Sequence, residues 1–203
     1  MHMPASVSVK RMSETSDQEL LKQAIRCDAL AQQALLRGDL AHARTLFRAA
    51  AERYHASWEA AGPRAYGRLI GLLKSAILWG EGGHAAAYVR SVLGDACDSP
   101  PSCYALALAT VVQGDDAAAL PAIDGMREGG EPFARTADAL AALVHGDRDG
   151  YAAAVGAIVA DFAARETHLT GVAFADTAVV LERLAAPRGM AARPASAVMP
   201  VLG

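Results

Sequence analysis

An all-α array of about four antiparallel helix pairs, closed by a C-terminal capping helix, is the fold class this sequence predicts. Two observations carry the prediction. A short turn signature recurs as Leu36-Arg37-Gly38-Asp39, Leu78-Trp79-Gly80-Glu81, Val112-Gln113-Gly114-Asp115 and Val144-His145-Gly146-Asp147. Its glycines stand 42, 34 and 32 residues apart, a period and phase that mark stacked helical units. Around the first turn, Leu30, Ala34 and Leu35, then Leu40, Ala43, Phe47 and Ala50, fall at three- and four-residue steps. That spacing lines one face of a helix. The glycine ends one helix in a left-handed conformation, and the acid after it starts the next.

Taken in order, residues 1–15 read as an unstructured segment, 16–186 as the repeat domain and 187–203 as a tail punctuated by Pro187, Pro194 and Pro200. Ser16-Asp17-Gln18-Glu19 has the cap and acidic turn of a helix start, and the first helix runs to about residue 37. The second, residues 40–61, carries Tyr54, His55 and Trp58 near its end. Helices three and four cover 64–79 and 84–93, and Pro100-Pro101 forms the next loop. Helix five, 103–113, reads CYALALATVVQ; apolar all round, it is the central, buried helix. Helices six, seven and eight follow at 116–127, 133–145 and 149–165, and a ninth at 171–185 caps the last pair. Five residues after the turn glycine stand Ala43, Ala85 and Ala119, small enough for close helix approach, whereas the fourth unit has Tyr151.

The 203 residues carry a net charge of −3 and give no general affinity for nucleic acid. Charge is uneven: residues 1–93 hold 12 bases and 8 acids, and residues 94–149 hold 3 bases and 10 acids. There is no run of 18 apolar residues and no apolar leader, so no membrane association is expected. The three cysteines, an odd number, point to free thiols and a cytoplasmic location.

The turn-phased pattern resembles the tetratricopeptide repeat. Leu30-Ala31, Ala43, Phe47 and Ala50 occupy that family's small and aromatic packing positions in the first unit, and Leu106-Ala107, Ala119 and Ile123 do so in the third. The resemblance covers roughly residues 20–160 and implies a right-handed array. It also implies a protein or peptide partner on the concave face, where the groove positions are Asp28, Gln32, Lys74 and Tyr104. Tyr54 and Trp58 are the alternative anchors. The Lys/Asn/Arg clamp that grips a C-terminal carboxylate is absent, since Asp28, Gln32, Pro101 and Ala105 stand at its positions.

No nucleophile elbow, zinc-protease helix, phosphate loop or dinucleotide fingerprint occurs, so neither catalytic residues nor a cofactor or metal are assigned. Asp161, Glu166, His168 and Asp176 bracket the loop between helices eight and nine, and are read as local pairs rather than a metal site. Asp176 stands among Val172, Val179 and Val180 and requires a partner from another helix. The segment AVVLERLAAPRGMAARPASAVMP, residues 178–200, resembles the closing part of bacterial immunity proteins that neutralise polymorphic toxins, through Leu184-Ala185, Arg188-Gly189, Ser196 and Pro200. The expected function is therefore a non-catalytic protein-interaction module. The alternatives are an immunity protein, or an enzyme or small-molecule binder that uses the loop between helices eight and nine.

Overall fold

The computed structural model describes residues 5–201, with side chains from residue 16 onward. Among the described residues there are nine α-helices and no strands. They are α1 (Ala5–Leu36), α2 (Leu40–Ala60), α3 (Gly67–Trp79), α4 (Gly82–Leu93), α5 (Pro100–Val112), α6 (Asp116–Met126), α7 (Glu131–His145), α8 (Arg148–Ala164) and α9 (Asp176–Ala185). Each helix up to α8 packs on the next, while α3 meets α5 and α5 meets α7. The expected unstructured segment falls on residues 1–4, outside the described residues, and on 5–15, whose side chains lie outside them too. Asp17 does not start a helix; it lies within α1.

The four turns share one hydrogen-bond pattern. Gly38, Gly80, Gly114 and Gly146 all have positive φ, from 71° to 106°. The residue after each donates its N–H five residues back: Asp39 to Ala34, Glu81 to Ala76, Asp115 to Thr110 and Asp147 to Ala142. This satisfies carbonyls that the helix end leaves open, and the left-handed residue it needs favours glycine. Asp39 and Asp147 also cap the helices that follow, accepting from the N–H of His42 and Gly150 at 3.1 and 3.0 Å.

Every residue of α5 from Ser102 to Val111 is buried. The small residues Ala43, Ala85 and Ala119 are buried at the helix crossings. Both prolines of the 100–101 pair lie in the first turn of α5, where a missing N–H costs nothing, so the helix starts three residues earlier than expected. That start brings Cys97 back over Cys103: their Cα atoms are 4.9 Å apart and the two form a disulfide. The expectation of three free thiols is therefore corrected, and Cys27 alone is free. The bridge rests on α6 at Gly125, where a Cβ would stand 2.6 Å from Cys103 Sγ.

α9 does more than cap the last pair. It touches α7 and α8, and it also reaches α3. Residues 171–175, expected as its first turn, are a non-helical segment leading to it, and the Ala175 N–H donates to the Val198 carbonyl at 2.9 Å. The tail packs back, with Val198 and Met199 buried. Glu182, 2% exposed, holds it there: the carboxylate accepts from Tyr151 Oη at 3.0 Å and from the N–H groups of Ala192 and Arg193 at 3.0 and 2.7 Å. Arg188 adds a two-pronged pair with Asp116, at 2.8 and 2.9 Å. No helix among the described residues is long and apolar enough to cross a membrane.

Candidate functional site

On α1, Leu21, Ile25, Asp28 and Gln32 follow each other at helical spacing and form one stripe. Ile70, Gly71 and Lys74 do the same on α3. Between the two stripes lies a cavity of about 500 Å³. Its third side is the end of α8 and the turn to α9, which contributes Phe162, Arg165, His168, Leu169, Thr170, Phe174 and Asp176. The turn is tied down by Thr170 Oγ1, which donates to Gln32 Oε1 at 2.6 Å.

Asp28 sits at the cavity wall, reachable from inside but surrounded otherwise by protein. Tyr54 Oη donates to Oδ2 and Ser75 Oγ to Oδ1, each at 2.9 Å. Burial raises its pKa to about 7, overcoming these two hydrogen bonds, with the nearby Asp176 adding to the rise. Burial likewise holds the Tyr54 phenol well above its ordinary value, with Asp28 adding to it.

Lys74 lowers the Asp28 pKa through space but makes its bonds elsewhere. Its Nζ bonds Asp176 Oδ2 at 3.0 Å and Thr177 Oγ1 at 2.8 Å, and lies 5.5 Å from the centre of the Tyr104 ring. Burial alone would lower the lysine pKa; Asp176 and Tyr104 outweigh it and hold the ammonium charged. Asp176 thus takes its partner from α3. Three arginines line the cavity, each paired with an acid. Arg64, in a left-handed conformation at φ 72°, faces Asp98 at 3.5 Å. Arg68 pairs with the buried Asp17 and donates to Ser57 Oγ at 2.7 Å. Arg165 pairs with Asp161 at 3.1 Å and covers the Phe162 ring at 3.8 Å.

Of the six residues expected to face a partner, Asp28, Gln32, Lys74 and Tyr54 come together at this cavity. Tyr104 is buried beneath Lys74, and Trp58 lies outside the cavity, half-buried and stacked on Tyr66 at 6.0 Å. The loop cluster scatters: Asp161 serves Arg135 and Arg165, Glu166 is exposed, His168 stacks on Phe162, and only His168 and Asp176 reach the cavity. No group of three metal-binding side chains exists among the described residues. Sequence reading missed Ser75, Thr170 and the Arg68–Asp17 pair. The α1 stripe was available to periodicity; the contacts of Thr170 with Gln32, 138 residues apart, were not.

No protein-family model matches this chain, and no curated protein or solved structure matches it.

Proposed function

We propose that this chain is a non-catalytic binding module, built on a tetratricopeptide-like array, that takes a small ligand in the cavity between α1, α3 and the α8–α9 turn. The observation that carries the reading is the joining of two features at one place. The groove residues Asp28, Gln32 and Lys74 and the loop residues His168, Thr170 and Asp176 line the same space. An apolar space with a few convergent polar groups, one of them with a displaced pKa, is the usual form of a ligand site. The chain's own turn already covers part of the concave face, which favours a compact guest over a long peptide. A saturation-transfer NMR screen of small organic compounds tests it. Hits are expected that vanish when Ile70→Trp fills the cavity; hits indifferent to that change would sink the reading.

A protein partner is the second reading, favoured by Leu169, which stands 81% exposed on the cavity's lip. An isolated large apolar side chain there suits a contact with another surface. An immunity role would make the partner a toxin, and rests on the sequence of residues 178–200. Co-purification with a toxin encoded beside this chain, lost on Leu169→Asp, would support both. A cytoplasmic location suits the odd cysteine count, whereas a Cys97–Cys103 bond suits oxidising surroundings. Alkylating the protein inside cells before recovery distinguishes the two.

A further inference from the structure

Charges around the cavity are matched with one exception. Lys74 has Asp176, Arg64 has Asp98, Arg68 has Asp17 and Arg165 has Asp161. Asp28 bonds only the neutral hydroxyls of Tyr54 and Ser75; no ion pair reaches it among the described residues, and Lys74 acts on it only at a distance. A carboxylate removed from water is costly unless paired. Here Asp28 lines a cavity that Ile25, Ile70, Phe162 and Phe174 line as well.

Resting on the small-ligand reading above, we infer that the ligand is an organic amine: an apolar or aromatic body in the cavity, with its ammonium group on the Asp28 carboxylate. The ammonium supplies the missing positive charge as a charge-assisted hydrogen bond, the stronger kind. Both Asp28 oxygens already hold one donor each and keep acceptor capacity for another. The arginines lining the cavity do not repel the cation at full strength, because each is paired with an acid, Arg165 sharing Asp161 with Arg135. An acid-bearing ligand of the same shape would meet Asp28 and Asp176 as like charges.

The groups facing Asp28 are Tyr54 from α2, Lys74 and Ser75 from α3 and Asp176 from α9. Asp28 is placed to change charge near neutrality, whereas Tyr54 and Lys74 are both held above their ordinary values. His168 also lines the cavity, and an imidazolium there would oppose an amine as well. Amine binding is therefore expected to strengthen between pH 6 and 8, and to do so in His168→Gln too; a flat profile in that variant counts against the inference.

The test uses the full chain and three probes of like shape: phenethylamine, phenethyl alcohol and phenylpropanoate, titrated calorimetrically at pH 8. Phenethylamine is expected to bind at least about tenfold more tightly than the alcohol, and phenylpropanoate most weakly. Asp28→Asn is expected to erase the gap between amine and alcohol. The alcohol or the acid binding as tightly as the amine overturns the inference while leaving the cavity reading intact. Binding of no probe, or amine binding that survives Ile70→Trp, overturns the cavity reading with it. Should Asp28→Asn fail to melt cooperatively, the three-probe ranking on the unaltered chain decides alone.

Discussion

The ring of Tyr54 fills the space that a side chain at Gly71 would need: a Cβ there would stand 2.7 Å from the Tyr54 Cε1 and Cζ atoms. α2 and α3 approach closely at this point, and the phenol passes over α3 to reach Asp28 on α1. The absent methyl thus sets the geometry of the cavity wall.

Gly71→Ala is accordingly expected to destabilise the fold by about 1–3 kcal/mol through overpacking, more than the gain of about 1 kcal/mol in helix propensity. Urea denaturation measures it. Combined with Tyr54→Leu, the change is expected to cost less than the sum of the two single changes, because the ring it collides with is gone. A Gly71→Ala protein as stable as the parent would contradict the packing described.

Asp28 makes stability fall as pH rises. Its folded pKa, about 7, lies above its ordinary value of 3.8, so between about pH 4 and pH 7 the native state holds a proton that the unfolded chain releases. The fold is then favoured below the unfolded pKa and loses that advantage on the way to pH 7, by at most about 4 kcal/mol for a shift of this size. Asp28→Asn has no proton to lose. The difference in unfolding free energy between Asp28→Asn and the parent is expected to move in favour of the variant from pH 5 to pH 8. A difference independent of pH would contradict the shift.

Glu182→Ala leaves the Tyr151 hydroxyl and the N–H groups of Ala192 and Arg193 without their acceptor. A loss of about 3 kcal/mol is expected, as when one partner of a buried charged network is removed. Limited proteolysis is expected to clip the variant beyond residue 190 before any other site. An intact tail in the variant would show that Arg188 and the Val198 contacts suffice.

Thiol titration of denatured, unreduced protein is expected to find one reactive thiol per chain, that of Cys27. Replacing Cys97 and Cys103 by serine is expected to cost about 2 kcal/mol, the loop-entropy value for so short a loop. Three thiols in the unreduced sample would refute the pairing.

The turns were legible because their cause is local: Gly38 and Asp39 need only their own helix ends. Asp28, Gln32 and Lys74 were legible as one group because repeat phase fixes which face of a first helix a residue occupies. Their true neighbours were not. Thr170 and Asp176 reach them only because the non-helical segment 171–175 carries α9 onto α3, and no periodicity encodes such a return. Tyr151 is the instructive case. In sequence it reads as a degenerate small-residue position; in the structure it is fully buried and hydrogen-bonded to Glu182. Cys97 and Cys103 misled through an odd count, which cannot say which cysteine is left over.

The bond from Thr170 to Gln32 joins the last turn to the first helix. Repeat arrays ordinarily behave as one-dimensional stacks, each unit coupled to its neighbours alone and free to peel from either end. Here a turn 138 residues along the chain is bonded to the first helix, so the stack carries a contact beyond its nearest neighbours. Opening of α1 therefore also frees the α8–α9 turn from its bond to Gln32.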